Sequence, residues 1–516
     1  MRNYLKPIIL ILLFSPVLFF FSHEVSAQDE ADDPLLMEVS AGFDDFFRGE
    51  NWIPIHVTLA NNGPLVDGYI QVETGTTTNS GTEYRLPVTL PTQSRQQATL
   101  YIFSPNFGTT LDVKLRDTNG NLLLTRSTTM RRVNDGEHLY AVVSPDPGEF
   151  TFLESISSST GRVSVAFMEL EELPETAVAW KALDMVILND VDTAELSPEQ
   201  ISALRQWVNN GGQLVITGGS SWQKTTSGLL DLLPVTVSGS RSIADLPALR
   251  AQAGFPFRDD GPYLIAESQL RSGSLLYFDG DLPVLAVEGY GRGNVFFLAL
   301  DPRFAPLQDW DGHELLWQDI INRFPSSDYW GLGPQNSYAS SSAVSSLPAL
   351  ALPSILTLLI FLLLYILLIG PLNYFFLKRS KRTELAWATI PVIVLVFSAA
   401  TYVTGFQLRG NTTIINQMNI AYSDAGAEEA NVHSLIGLYS PRRMNYDMVF
   451  GQETLARPFR QEFGTVLGSG DDNSGIVTFA GQNKIEGIRV DISGIETFIA
   501  EGNAPAVQLN PVVYNI

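Results

Sequence analysis

The chain contains no cysteine in 516 residues. That removes disulfides, thiolate metal sites and every mechanism that uses a cysteine nucleophile. Positive charge is also scarce: 32 Lys and Arg stand against 55 Asp and Glu, a formal net charge of -23. Nucleic acid and anionic lipid headgroups would be repelled by such a surface, so neither is expected as a partner of the exported parts. The acidity reads instead as a solubility feature. With 45% hydrophobic residues, the length leaves room for about three domains besides any membrane spans.

Charge of either sign is missing altogether from Leu347 to Leu377, whose core, Ile355 to Ile369, is rich in Leu and Ile. A bilayer takes roughly 20 helical residues to cross, so this run predicts a span over 354–377. A second uncharged run predicts another over 385–408. The loop between them, 378–384, opens with Lys378, Arg379, Lys381 and Arg382, and this basic cluster places it in the cytoplasm with both flanks outside. Gly370-Pro371 predicts a kink about two turns before the loop. Asn373 follows as a helix-to-helix hydrogen-bonding or interfacial residue, and Tyr374 and Trp387 suit the aromatic belt. No charged residue or His lies inside either run, which offers little for a solute path. The bilayer is therefore one expected partner. A second membrane protein, docked at Gly370, Pro371 and Asn373, is the other.

Residues 1–27 read as a secretory signal peptide: Arg2 and Lys6, an apolar Ile8 to Phe21, then Val25-Ser-Ala27 as cleavage signal. The protein is thus expected in the cytoplasmic (inner) membrane, multi-pass, with its large domains extracytoplasmic. From 35 to 135, short runs of period two separated by turn residues predict an Ig-like antiparallel β-sandwich. Ile53, Ile55, Val57 and Leu59 form its inward face, and His56 falls on the outward one as a surface residue.

Between 137 and 325 the period changes. His138 to Ser144, Arg162 to Met168, Asp184 to Asn189 and Gln213 to Thr217 are continuous apolar strands of the kind buried on both faces. Pro198 to Asn209 predicts a helix, with Ser197 as N-cap, Gln200 completing a capping box and Gly211-Gly212 as stop. Alternation of strand and helix means an α/β domain with a parallel sheet. Leu285 to Asp301 reads as two strands joined by a Gly-rich turn, and a helix from His313 to Phe324 closes the domain. A Ser-rich linker follows at 331–350. Beyond the spans, 410–516 predicts a second, β-rich extracytoplasmic domain. Its last stretch, Val507 to Ile516, is strand-like, and the natural end is expected further on.

The segment Asp184-Met-Val-Ile-Leu-Asn-Asp190, the helix ending in Trp207-Val-Asn-Asn-Gly-Gly212 and the strand Gln213-Leu-Val-Ile-Thr-Gly-Gly219 resemble the class I glutamine amidotransferase-like, flavodoxin-like fold. In active members the last strand leads into a turn bearing a catalytic Cys, and a late His-x-Glu completes the triad. Here the turn is Thr217-Gly-Gly-Ser-Ser221 and the late pair is His313-Glu314, so the resemblance implies the fold without the activity. The hairpin, Gly370-Pro-Leu-Asn-Tyr-Phe-Phe-Leu-Lys-Arg379 with Glu384-Leu-Ala-Trp387, resembles a family of bacterial envelope membrane proteins of uncharacterised function. Those proteins join an exported β-domain and an amidotransferase-like domain to such a hairpin.

Candidate chemistry is thin. Asn189, Asp190 and Asp192 sit at the carboxyl end of a sheet strand, where open α/β sheets bind ligands, and could take a metal or a sugar hydroxyl; Asp residues there equally end a strand and solvate a loop. Ser220 or Ser221 with His313 would be a minimal nucleophile and base, lacking a G-x-S-x-G elbow or an orienting acid. Asp279-Gly-Asp281 reads as a turn. Gly289-Tyr-Gly-Arg-Gly293 lies between strands rather than before a helix, so it is no phosphate loop. No metal or cofactor is implied. The expected function is a non-catalytic, membrane-anchored envelope protein accessory to a membrane complex such as a transporter; the alternative is a membrane-anchored hydrolase using a serine or an acidic metal site.

Overall fold

A computed structural model describes residues 34–76, 79–103, 108–134, 136–156, 161–323, 342–345, 354–408, 412–423, 429–459 and 475–506. The expected signal peptide, most of the linker and the strand-like 507–516 lie outside the described residues. What is described is a β-rich, multidomain chain carrying two apolar helices.

The period-two runs form strands as their alternation requires. Leu35–Ala41, Trp52–Asn61 and Ser94–Phe103 make a three-stranded antiparallel sheet. Ile53, Ile55, Val57 and Leu59 are each at most 1% exposed. His56 is corrected by the structure from a surface residue to a half-buried one: its Nδ1 lies 3.0 Å from Thr99 Oγ1, and burial pushes its pKa down to about 4.

The larger correction concerns the two β-domains, which are not separate. One seven-stranded sheet has the order Met444–Phe450, Asn483–Val490, Ile476–Phe479, Asn79–Leu90, Val66–Thr76, Thr110–Asp117, Leu122–Thr129. Its seam is parallel, with Ile476, Val477 and Thr478 opposite Glu83, Tyr84 and Arg85. Residues from both sides of the hairpin share one core, in which Trp52, Tyr84, Tyr101 and Phe103 pack with Val477, Phe479, Ile485 and Phe498. Strand patterning shows each run but not which distant run it pairs with, and the pairing joins positions almost 400 residues apart in the chain.

The apolar strands of the middle segment form a second seven-stranded sheet. Five of them are parallel: His138–Val143, Val163–Met168, Met185–Leu188, Gln213–Thr217 and Gly293–Leu298. Numbered in chain order, they lie side by side as 2-1-3-4-5. Leu282–Tyr290 and Ser274–Asp279 then extend the sheet antiparallel, the first joined to Gly293–Leu298 by the glycine turn. A ribbon of Val235–Ile243 and Tyr263–Leu270, separate from this sheet, was not legible beforehand. The helix Pro198–Asn209 has its capping box, with Gln200 N donating to Ser197 Oγ at 3.1 Å and Ser197 N to Gln200 Oε1 at 2.9 Å. It buries Leu204, Trp207 and Val208; Trp207 lies 5.4 Å from Trp180, and a Cβ on Gly212 would come within 2.3 Å of the Trp207 ring. The closing helix is His313–Ile321.

The first apolar run is helical over Ile355–Arg379 and the second over Thr383–Thr404, each long enough to cross a bilayer. The break expected at Gly370-Pro371 takes the form of a π-helical turn, Leu368–Leu372, because Pro371 has no N–H to continue the α pattern. Val344, from the segment before the first apolar helix, joins Leu435, Phe459 and Ile499 in a small cluster, and its carbonyl accepts from Asn416 Nδ2 at 2.9 Å. Since one sheet contains strands from before 354 and after 408, both must lie on the same side of any membrane the hairpin crosses.

Candidate functional site: an ion network at the carboxyl ends of the parallel strands

Four of the parallel strands end together, and each contributes a polar residue as its apolar run stops. Ser144 and Asp146 follow His138–Val143, Asn189 and Asp190 follow Met185–Leu188, Thr217 closes Gln213–Thr217, and Asp301 and Arg303 follow Gly293–Leu298. The crevice between the first and third strands in chain order is the point where the winding direction reverses, and in open α/β sheets ligands bind there.

Asn189 is fully buried and ties the strand ends together. Its Nδ2 donates to Thr217 Oγ1 at 2.7 Å and to Asp301 Oδ1 at 3.1 Å, while Ser144 Oγ donates to its Oδ1 at 3.1 Å. Above it lies the Arg303 guanidinium, 5% exposed, held by three carboxylates. Its Nη2 is 2.8 Å from both Asp190 Oδ2 and Asp301 Oδ2, its Nη1 is 2.8 Å from Asp146 Oδ2, and its Nε donates to Asp301 Oδ1 at 3.1 Å. Burial works against the cation, but the hydrogen bonds and charges of Asp301 and Asp190 outweigh it and raise the Arg303 pKa. Four of the five guanidinium N–H groups are therefore used inside the protein.

Asp190 adopts a left-handed backbone, φ 54°. Lys224 Nζ donates to its carbonyl at 2.7 Å and sits 3.6 Å from its Oδ1. Burial alone would raise the Asp190 carboxyl; hydrogen bonds from Ser221 and Arg303, with the charges of Arg303 and Lys224, hold it below the usual carboxylate range. The Thr217-Gly-Gly-Ser turn depends on Gly219, at φ 74°, where a Cβ would meet the Asp301 Cβ at 2.9 Å.

Of the residues singled out from sequence, Asn189, Asp190 and Ser221 meet here. Ser220 is exposed beside them. Asp192 is engaged separately: it caps a 3-10 turn by accepting from Ala194 N at 3.1 Å and also accepts from Ser227 Oγ at 3.2 Å. His313 is not joined to either serine in any contact that the structure describes. It accepts from Trp317 Nε1 at 2.6 Å, its ring lies 4.0 Å from that of Phe152, and burial pushes its pKa down to about 4. Asp279 accepts from Ala248 N at 3.0 Å at the start of the helix Pro247–Ala253, and Gly280, at φ 60°, makes the turn expected there. Among the described residues no group of three or more His, Asp or Glu is placed to hold a metal ion.

Arg303, Asp301, Asp146 and Ser144 carried no role in the sequence reading. The available signal was their position, one to five residues past the end of an apolar strand. At the hairpin, Asn373 is half-buried and opens the helix Asn373–Arg379, while Phe397 packs its ring against Phe361 at 5.3 Å and Tyr365 at 5.1 Å. Lys378, Arg379, Lys381 and Arg382 are all exposed at the turn.

Comparison with known proteins gives two family matches. Residues 34–131 match a family described as Domain of unknown function (DUF8726), and residues 142–302 one described as Domain of unknown function (DUF7408). No curated protein matches the chain by sequence. Among solved structures, an exo-beta-1,4-mannosidase, Op5Man5, from Opitutaceae bacterium strain TAV5 aligns at 14% identity and TM-score 0.24, covering 37% of this chain and 34% of its own. A beta-glucosidase from Listeria innocua aligns at 12% and 0.15, over 19% and 16%. A cycloisomaltooligosaccharide glucanotransferase from Paenibacillus sp. aligns at 9% and 0.19, over 90% and 69%. The chain spans about a third or less of the length of the first two. Similarity this low assigns neither fold nor activity.

Proposed function

We propose that this is a non-catalytic, membrane-anchored protein of the cell envelope whose folded domains bind or scaffold outside the cytoplasmic membrane, while the hairpin docks on a membrane partner such as a transporter. The observation that carries the reading is the pairing of Ile476–Phe479 with Asn79–Leu90 across the hairpin. A folded body closed over the hairpin by a shared sheet leaves two spans and a turn of four exposed cations on the far side, and this supports the basic loop as the cytoplasmic end.

The strand order 2-1-3-4-5 supports reading the middle segment as flavodoxin-like, while the amidotransferase-like part of that reading rests on the sequence resemblance. Where that family's active members would carry a nucleophile, this chain has Ser220 and Ser221 beside a carboxylate that Arg303 keeps ionised and weakly basic. The base expected from the sequence, His313, instead accepts from Trp317 Nε1 and packs against Phe152. This favours binding over hydrolysis.

Affinity purification of the full-length protein from its native membrane, in mild detergent, tests the reading. A stoichiometric membrane partner that is lost in Asn373→Leu or Gly370→Leu variants is the expected result. Partner recovery unchanged in both variants would rule out docking through the hairpin, and a chain recovered alone would rule out the accessory role.

A further inference from the structure

The strand Ile414–Tyr422 forms one edge of a four-stranded antiparallel sheet, followed by Glu429–Ser440, Gly494–Pro505 and Leu455–Pro458. Its sequence, Ile-Ile-Asn-Gln-Met-Asn-Ile-Ala-Tyr, has no charged residue and no proline, and its nine residues pair with Glu429–Ser440 without a register shift. Among the described residues no strand pairs with its other side. Val344 covers one face near Asn416, while Ile415 is 61% and Met418 38% exposed.

An open row of backbone donors and acceptors is a template for another strand, and proteins usually blunt such edges with charge, proline, bulges, shortness or a cover. The other edge of this sheet and the edges of the two seven-stranded sheets are blunted. Leu455–Pro458 is four residues long and contains Arg457 and Pro458. Met444–Phe450 carries Asp447 and a register shift, Ser274–Asp279 two shifts and Asp279, and Leu122–Thr129 carries Arg126. Val163–Met168 is uncharged, but its Phe167 N–H donates to Asp44 Oδ2 at 3.2 Å. Ile414–Tyr422 alone in this set is long, regular and uncharged, with no further strand on its edge among the described residues.

We propose that this edge is the self-association surface of the protein: two copies pair their Ile414–Tyr422 strands antiparallel, merging two four-stranded sheets into one of eight. Three observations select a second copy as occupant. Antiparallel pairing of a strand with itself is isologous, so it closes at two. In a chain of net charge -23, most surfaces repel their own copy, whereas pairing about a two-fold at Met418 sets Met418 against itself and Gln417 against Asn419 without charge. The strand also begins six residues after the helix Ala386–Leu408 ends, within about 20 Å of extended chain, so copies anchored in one bilayer present the edge at a common height. Growth stops there because the outer edges of the merged sheet are the short strands with Arg457 and Pro458. The proposal is independent of whether the hairpin docks on another protein.

The absence of cysteine makes the test direct. Single variants Gln417→Cys, Met418→Cys and Asn419→Cys of the full chain are oxidised in native membranes and run on non-reducing gels, with Leu122→Cys as control on a distant exposed position. The expected result is a disulfide-linked dimer of this chain for at least one of the three and none for the control. The cysteine-free Ile415→Lys variant, in detergent at the same concentration, should show at least a tenfold weaker dimerisation constant by light scattering, with an unchanged melting temperature. No dimer from any of the three, a mass of one chain in detergent, or a dimer that Ile415→Lys leaves intact overturns the proposal.

Discussion

The Trp52 indole N–H donates to Glu501 Oε2 at 2.7 Å, joining a strand before the apolar hairpin to one after it. The other carboxylate oxygen of Glu501 lies 3.2 Å from Lys181 Nζ, in the middle domain, and 3.0 Å from His433 Nδ1. Burial would raise this carboxyl, yet the Lys181 charge, the hydrogen bond from His433 and the nearby Arg457 lower it well below its ordinary value. Three parts of the fold thus meet on one buried anion. The interior side of that junction is completed by Arg457, whose guanidinium lies 3.6 Å from the Phe103 ring centroid.

Removing the anion while leaving the cations buried is costly. Glu501→Ala is expected to destabilise the folded domains by about 3 kcal/mol, because Lys181 and Arg457 lose their compensation. Glu501→Gln keeps the shape and an acceptor for Trp52 and should lose less. Denaturant unfolding of the detergent-solubilised protein measures both, and equal stability of Glu501→Ala and the parent would show that the junction contributes nothing.

The Arg303 network makes a second stability prediction. Arg303→Met leaves Asp301, 4% exposed on its side chain, without its cation and is expected to cost about 3 kcal/mol. Asp146→Asn removes a partner that is 69% exposed and should cost under about 1 kcal/mol. The contrast between the two melting curves checks that the clamp is organised from its buried side.

Acid sensitivity should appear before the carboxylates titrate. His56 and His313 have pKa values lowered from 6.5 to about 4 by burial, so between those values the unfolded chain binds protons that the folded chain refuses. Stability then falls as pH drops from about 6.5 towards 4, and is flat above that window so far as these groups decide it. Glu501 and Asp184, whose folded pKa values are lowered, add a further loss as pH falls below the ordinary carboxylate values. A melting-temperature series from pH 8 to 4 should be flat down to about 6.5 and slope below it, with a shallower slope in a His56→Leu, His313→Leu double variant.

Sidedness follows from the shared sheet. Leu230→Cys and Ile492→Cys, both on exposed positions, should react with a membrane-impermeant maleimide from the same side of sealed vesicles, and Ser380→Cys from the other. Labelling of Leu230→Cys and Ile492→Cys from opposite faces would be incompatible with the pairing of Ile476–Phe479 and Asn79–Leu90.

The elements whose cause is local were legible in advance. The helix Pro198–Asn209 begins and ends where Ser197, Gln200 and Gly211-Gly212 place it, because a capping box and a glycine stop act within a few residues. The turn at Gly291 and the break at Pro371 are equally local: one needs a positive φ, the other lacks an N–H. Half of the candidate site was visible in the same way, as Asn189 and Asp190 close an apolar strand. Its centre was not, since Arg303 follows Asp190 by more than a hundred residues and nothing in its neighbourhood says which carboxylates it will meet.

The amino-acid order by itself determined the periods, the caps, the two uncharged runs and the absence of every thiol chemistry, since each depends on side-chain type at short spacing. Only the tertiary structure decided that Ile476–Phe479 lies beside Asn79–Leu90, that Glu501 anchors Trp52 and Lys181, and that Arg303 fills the crevice between strand ends. Backbone hydrogen bonds are the same for every strand, so pairing partners are chosen by which faces can be buried together and which charges can be compensated, and those choices exist only once the whole chain has folded.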